Sequence, residues 1–115
     1  MLKLVSLLLI ASLLTSVHAQ TESGINAQAH AEFERANAAL TKAYEELLNR
    51  LPDTESRRKL VKSQHAWLAF RDAEASFAAD QVRGGAAAAA VRYASMKELT
   101  ERRIKQLLFG HDEGI

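Results

Sequence analysis

The chain has 115 residues, with 15 Lys and Arg against 14 Asp and Glu, no cysteine and 48% apolar residues. That length holds one small domain, and a formal charge of +1 gives no global attraction toward nucleic acid or an anionic membrane. The lack of cysteine excludes thiol catalysis, cysteine-ligated zinc, covalent haem attachment and disulfide stapling, so helix packing alone must hold a modest core.

Residues 1–19 read as a signal peptide. Lys3 supplies the positive start, and Leu4 to Leu14 is apolar but shorter than the run of about 20 residues that spans a bilayer. Val17-His18-Ala19 suits signal peptidase, which places cleavage after Ala19. An uncleaved anchor is the alternative, and Thr15-Ser16 argues against it by interrupting the run. No cysteine follows to carry a lipid, so the expectation is a periplasmic or secreted chain with no stable membrane anchor after cleavage. Residues 20–115 then form a single domain of zero formal charge, 14 cations against 14 carboxylates, because Lys3 leaves with the leader.

Three helices follow from periodicity, at about 26–51, 54–83 and 86–109. Phe33, Leu40, Tyr44, Leu47 and Leu51 form one amphipathic stripe, with Asn26 a plausible N-cap. Pro52 ends it, and Asp53 or Thr54 can cap a second helix whose inward positions are Leu60, Gln64, Trp67, Arg71, Ala75, Ala78 and Val82. Gly84-Gly85 stops that helix. The run Ala86 to Ala90 opens a third, since alanine is the best helix former. Tyr93, Met96, Thr100, Ile104 and Leu107 continue its stripe to a stop at Gly110, and His111 to Ile115 should fray. Connections of two or three residues predict an all-α, antiparallel up-down three-helix bundle. Ala75 and Ser95, ten residues either side of Gly85, should then lie at one height, where two small residues let the helices approach.

The charges are unevenly laid out. Glu32, Glu34, Glu45 and Glu46 make the first third acidic, and Arg57, Arg58, Lys59 and Lys62 open the next segment. Solvated faces that pair between neighbouring helices are the ordinary explanation. Arg102, Arg103 and Lys105 should complement a helix C-terminus.

The most informative segment sets Gln64, Trp67 and Arg71 at i, i+3 and i+7, on one helical face. A stripe that only fills a core should be apolar, so these polar members belong either to a satisfied buried network or to a recognition surface. Arg71 could hold an anion. More often an arginine beside a tryptophan stacks on the indole and pairs with a carboxylate, here Glu74 or Glu98.

The run Leu60, Gln64, Trp67, Phe70, Arg71, Asp72, followed by Gly84-Gly85, Tyr93 and Leu99-Thr100-Glu101-Arg102-Arg103, resembles the lysozyme-inhibitor LprI-like N-terminal domain family. Ala39-Leu40 and Tyr44 look like its first conserved segment, so the resemblance covers about Asn26 to Leu107. It implies a small exported bacterial helical protein whose signature residues Gln64, Trp67, Arg71, Asp72, Gly84, Gly85, Tyr93, Thr100 and Arg103 are structural, and a family of which some members inhibit lysozyme. The chain departs from the family where cysteines are common, carrying Gln28, Ala75 and Ser95 instead, and it has Thr41 where asparagine is usual.

No constellation specifies a reaction, and the expectation is no enzyme, no cofactor and no metal. His30 and Glu34 share a face at i, i+4 but make only two ligands, with His65 on another helix. Glu45-Glu46 and Asp72 with Glu74 are carboxylates without a deep cleft to raise one pKa. Two function classes stay open. One is a binding protein that inhibits a muramidase by covering its cleft, with Glu32, Glu34, Glu45 and Glu46 meeting the arginines of a basic lysozyme. The other is a structural or adaptor module of the cell envelope, which zero net charge mildly favours because steering toward a cationic enzyme works better from an acidic inhibitor.

Overall fold

In a computed structural model of the chain, residues 2–110 are described, with side chains from Thr21 onward. Three helices account for nearly all of it: α1 (Leu2–Arg50), α2 (Thr54–Asp80) and α3 (Ala88–Phe109), with no strand among the described residues. The cleavage motif and the rest of the leader fall where side chains are not described, and the tail His111 to Ile115 lies outside the described residues.

α1 is longer than periodicity suggested. Asn26 is not an N-cap but an interior residue, and its side-chain amide reaches across to donate to the Ala86 carbonyl at 3.4 Å. Nothing between Gln20 and Asn26 breaks a helix except Gly24, whose cost of about 1 kcal/mol relative to alanine is tolerable in a long helix. At the other end Leu51 still donates to Leu47, and Arg57 from α2 donates to the Leu51 carbonyl at 2.9 Å, covering one of the open acceptors at the C-terminus of α1.

The first connection is the three residues Leu51, Pro52 and Asp53. Asp53 is the N-cap of α2: it has extended backbone, accepts from the Ser56 amide at 2.7 Å and from the Ser56 hydroxyl at 3.1 Å. These two donors hold its carboxyl below the ordinary value of 3.8. The second connection is longer than the sequence suggested, running from Gln81 to Ala87. α2 loosens after Asp80 into successive i to i+3 bonds, Val82 to Ala79 and Arg83 to Asp80, which tighten the chain before it reverses. Gly84 then takes φ of +78°, a conformation that a side chain resists, and this is the residue that makes the reversal. Gly110 closes α3 in the same left-handed half of backbone space, with its N–H on the Gln106 carbonyl.

α3 packs directly against both α1 and α2, while the backbones of α1 and α2 stand farther apart. The close contacts are made by small residues: Ala36 and Ala43 of α1 and Ala75 of α2 are buried, the last completely. Phe33, Ala75 and Met96 form the apolar centre, with Tyr93 packed on it, and Leu40 and Leu107 are buried as well. Of the inward positions expected on α2, Val82 is exposed because it lies beyond the helix, and Trp67 is half-buried rather than fully buried.

The antiparallel register of α2 and α3 is visible in their cross-links. Arg71, fourteen residues before Gly85, bonds Thr100, fifteen after it, and Ala75 clusters with Met96. Replacing both Ala75 and Ser95 by cysteine is therefore expected to give a disulfide under oxidising conditions and a higher melting temperature than the single variants. Free thiols in both after oxidation would reject the register at that height.

A second expectation concerns acid. Hydrogen bonds from Gln28 and then Lys97 lower the Glu32 carboxyl from its ordinary 4.5, as Ser56 does for Asp53. A lowered folded value stabilises the fold in full above the unfolded pKa and loses that contribution as pH falls through the folded one. The melting temperature should thus decline below about pH 4.5, and a Glu32→Gln, Asp53→Asn variant should show a shallower decline.

Candidate functional site

The wider space between α1 and α2 is filled by the polar stripe of α2. Arg71 is only 6% exposed, Gln64 4%, and Thr100 of α3 is fully buried. The Arg71 guanidinium donates from Nη1 to Asn37 Oδ1 of α1 at 2.9 Å and to Thr100 Oγ1 of α3 at 3.5 Å, and from Nε to Asp72 Oδ1 at 3.0 Å. Its plane lies near two aromatic rings, 5.1 Å from the centroid of Phe33 and 5.4 Å from that of Trp67. One side chain of α2 thereby bonds both other helices.

Arg103 repeats the arrangement one level further from the Gly84-Gly85 turn. From α3 it donates to Gln64 Oε1 at 3.0 Å, Ser63 Oγ at 3.1 Å and Gln106 Oε1 at 3.2 Å, and its guanidinium sits 5.9 Å from the Trp67 centroid. Burial pulls its pKa down from the ordinary arginine value. Trp67 is thus in cation–π range of two guanidinium groups, each such contact worth about 0.5 to 1 kcal/mol where partly exposed. Gln64, Trp67, Arg71, Thr100 and Arg103 are brought together as one brace.

The remaining signature residues act around it. Asp72, 56% exposed on its side chain, caps the outer edge of the brace. Tyr93 stacks on His30 at 4.6 Å and on Phe33 at 6.0 Å, joining α3 to α1 nearer the Gly84-Gly85 turn. Gly84 and Gly85 make the turn itself.

Two expected pairings are corrected. The carboxylate partner of Arg71 is Asp72, because Glu98 turns outward to Arg102 and Glu74 is exposed. Of the cations opening α2, Arg58 and Lys59 pair along their own helix with Glu55, and Arg57 reaches the Leu51 carbonyl at the end of α1 instead of an α1 glutamate. Arg103 belongs to the brace and not to a helix terminus, since its row of α3 faces α2. Asn37, Ser63 and Gln106 also join the brace, and of these Asn37 alone links it to α1. A signal was present: Phe33, Asn37, Leu40 and Tyr44 keep a spacing of four, three and four, so a polar member stands in the stripe of α1 as it does in that of α2.

The four glutamates do not form one patch. At about 100° per residue, Glu34 and Glu45 share one side of α1 about 16 Å apart, while Glu32 and Glu46 turn toward the side of α3. Glu32 is engaged, accepting from Lys97 of α3 at 3.2 Å and from Gln28 at 3.2 Å. Glu34 meets only His30 at 3.3 Å on the open surface, and Glu45 and Glu46 are exposed. Glu45 lies on the rim of a groove of about 330 Å³ between α1 and α2, which Thr41, Tyr44 and His65 also line and which has Gln64 and Arg71 at its floor. Among the described residues no three His, Asp or Glu side chains converge as metal ligands would, and no helix is long and apolar enough to cross a membrane.

The class defined by this geometry is a small three-helix domain with a buried polar brace, shallow grooves and exposed carboxylates scattered over two sides of α1. The family model described as Lysozyme inhibitor LprI matches residues 15–107, and the chain belongs to that family. The match begins upstream of the segment that carries the resemblance in the sequence, and so includes the interior of α1 before Asn26. No curated protein and no solved structure matches the chain.

If the brace holds the bundle, Arg71→Ala should cost about 2 to 4 kcal/mol of unfolding free energy, from lost charged hydrogen bonds and lost packing of the arginine stem. Because Asp72 can turn to water, the cost stays below that of stranding a fully buried carboxylate. Urea unfolding followed by Trp67 fluorescence measures it, and an unchanged midpoint would make Arg71 a surface group.

Proposed function

We propose that this protein is an exported bacterial binding protein that inhibits a lysozyme by lying over its cleft. The family match over residues 15–107 carries the reading. The surface supports it in one respect: Glu34, Glu45 and Glu46 are exposed carboxylates that can accept hydrogen bonds from the arginines of a basic muramidase. Glu32, held by Lys97 and Gln28, has a structural part instead. The signature residues Gln64, Trp67, Arg71, Asp72, Thr100 and Arg103 serve the inhibitor by keeping α1 rigid beside α2, so that a partner meets a preformed edge. A chain with this role needs no cofactor and performs no chemistry of its own. The alternative is a structural or adaptor module of the envelope, favoured only by the balanced charge of residues 20–115.

Capture on immobilised hen-type lysozyme at low and moderate salt, paired with a muramidase assay, separates the two. An inhibitor recognised through carboxylates is expected to be retained at low salt, to weaken as salt rises, and to lose about tenfold or more in affinity when Glu45 and Glu46 become lysine. Glu32→Gln should leave capture nearly unchanged. Absence of both retention and inhibition at low salt would leave the envelope module standing.

A further inference from the structure

α2 carries an apolar stripe that the bundle does not use. Ala66, Phe70, Ala73 and Phe77 are all exposed, Phe70 by 53% and Phe77 by 67%, and they lie roughly 150° around the helix from the buried Gln64, Arg71 and Ala75. Their spacing of four, three and four is that of a helix-pairing seam rather than of scattered surface residues.

We infer that this stripe pairs with the same stripe of a second copy, α2 against α2 in antiparallel orientation. The pattern is self-complementary in that orientation alone. With the twofold axis between Arg71 and Asp72, Phe70 stands opposite the partner's Ala73 and Phe77 opposite the partner's Ala66, so each ring enters a gap left by an alanine. A parallel pair would set phenylalanine on phenylalanine and alanine on alanine, crowding two levels and leaving two empty.

The charges agree with the same register. Lys62 and Asp80 lie on one flank of the stripe, both exposed, and in the antiparallel pair Lys62 comes within one residue of the partner's Asp80 at each end. Among the described residues Lys62 forms no ion pair, and Asp80 holds only the exposed Arg83 at 3.3 Å. In the parallel pair this flank would lie on opposite sides of the seam in the two copies, and Lys62 would have no Asp80 across from it. Two short helical faces bury less than a standard interface of about 1,600 Å², so the association belongs to the weak, reversible class.

Sedimentation equilibrium of the purified protein from about 10 µM to about 1 mM tests this. The expected result is a monomer–dimer equilibrium whose association constant falls by more than about tenfold in Phe77→Glu, with helicity by circular dichroism unchanged. Lys62→Asp alone should weaken the dimer, and Lys62→Asp with Asp80→Lys should restore it, a rescue that altered folding would not produce. The absence of cysteine permits a direct test of orientation: a mixture of Ala66→Cys and Phe77→Cys chains should cross-link as mixed pairs, and neither chain with itself. A monomer throughout that range overturns the proposal, as does Ala66→Cys cross-linking to itself. Loss of lysozyme capture in Phe77→Glu with a monomeric parent would assign the face to a protein partner and likewise overturn it.

Discussion

A guanidinium buried between helices must be satisfied on every side, and the Arg71 side chain imposes that condition on the whole bundle. A charge stranded in such a place destabilises a fold by several kcal/mol, so α1 must bring Asn37, and α3 must bring Thr100, to the same level of α2. The hydrogen bonds are directional where apolar packing is not. A core of three alanines with Phe33, Leu40, Met96 and Leu107 could slide by a turn at modest loss, and the brace opposes that slip. Arg103 and Gln64 repeat the condition at a second level, with Trp67 between the two arginines.

The shape of the domain follows from this division of labour. Alanines at Ala36, Ala43 and Ala75 let α3 approach both neighbours closely, while the polar stripe needs width and keeps α1 and α2 apart. That width is the groove beside Tyr44 and His65. A chain without cysteine has no disulfide to hold its helices, and depends all the more on the brace. Because a polar stripe occupies the inner face of α2, its phenylalanines at 70 and 77 are left on the outer one. The apolar surface that a conventional core would have absorbed is therefore available for association.

The function proposed for the chain uses the bundle as a scaffold more than as a site. A protein that blocks another's cleft needs a rigid edge and acceptors held clear of their own cations. Ion pairing sorts the glutamates of α1 accordingly: Glu32 is drawn into the α1–α3 seam by Lys97, whereas Glu45 and Glu46 remain open. The family assignment and the open carboxylates point the same way, although the first concerns descent and the second only chemistry.

Local rules in the sequence determined a great deal. Three helices, the stops at Pro52 and Gly110, the Asp53 cap and the inward rows Phe33, Leu40 and Met96, Thr100, Leu107 were legible because they depend on periodicity and on residues within a turn of one another. The start of α1 was not, since a weak N-cap signal at Asn26 does not stop a helix with no breaker before it. Nor were the partners of Arg71. Periodicity marked Gln64, Trp67 and Arg71 as an odd stripe, but whether the guanidinium would meet Glu74, Glu98, Asp72 or an uncharged pair such as Asn37 and Thr100 depended on the heights at which three helices pack. Heights and facing directions are set by long-range packing, which no local pattern encodes. For the same reason the scatter of Glu32, Glu34, Glu45 and Glu46 over two sides of α1, and the capture of Glu32 by Lys97 sixty-five residues away, were decided by the tertiary structure alone.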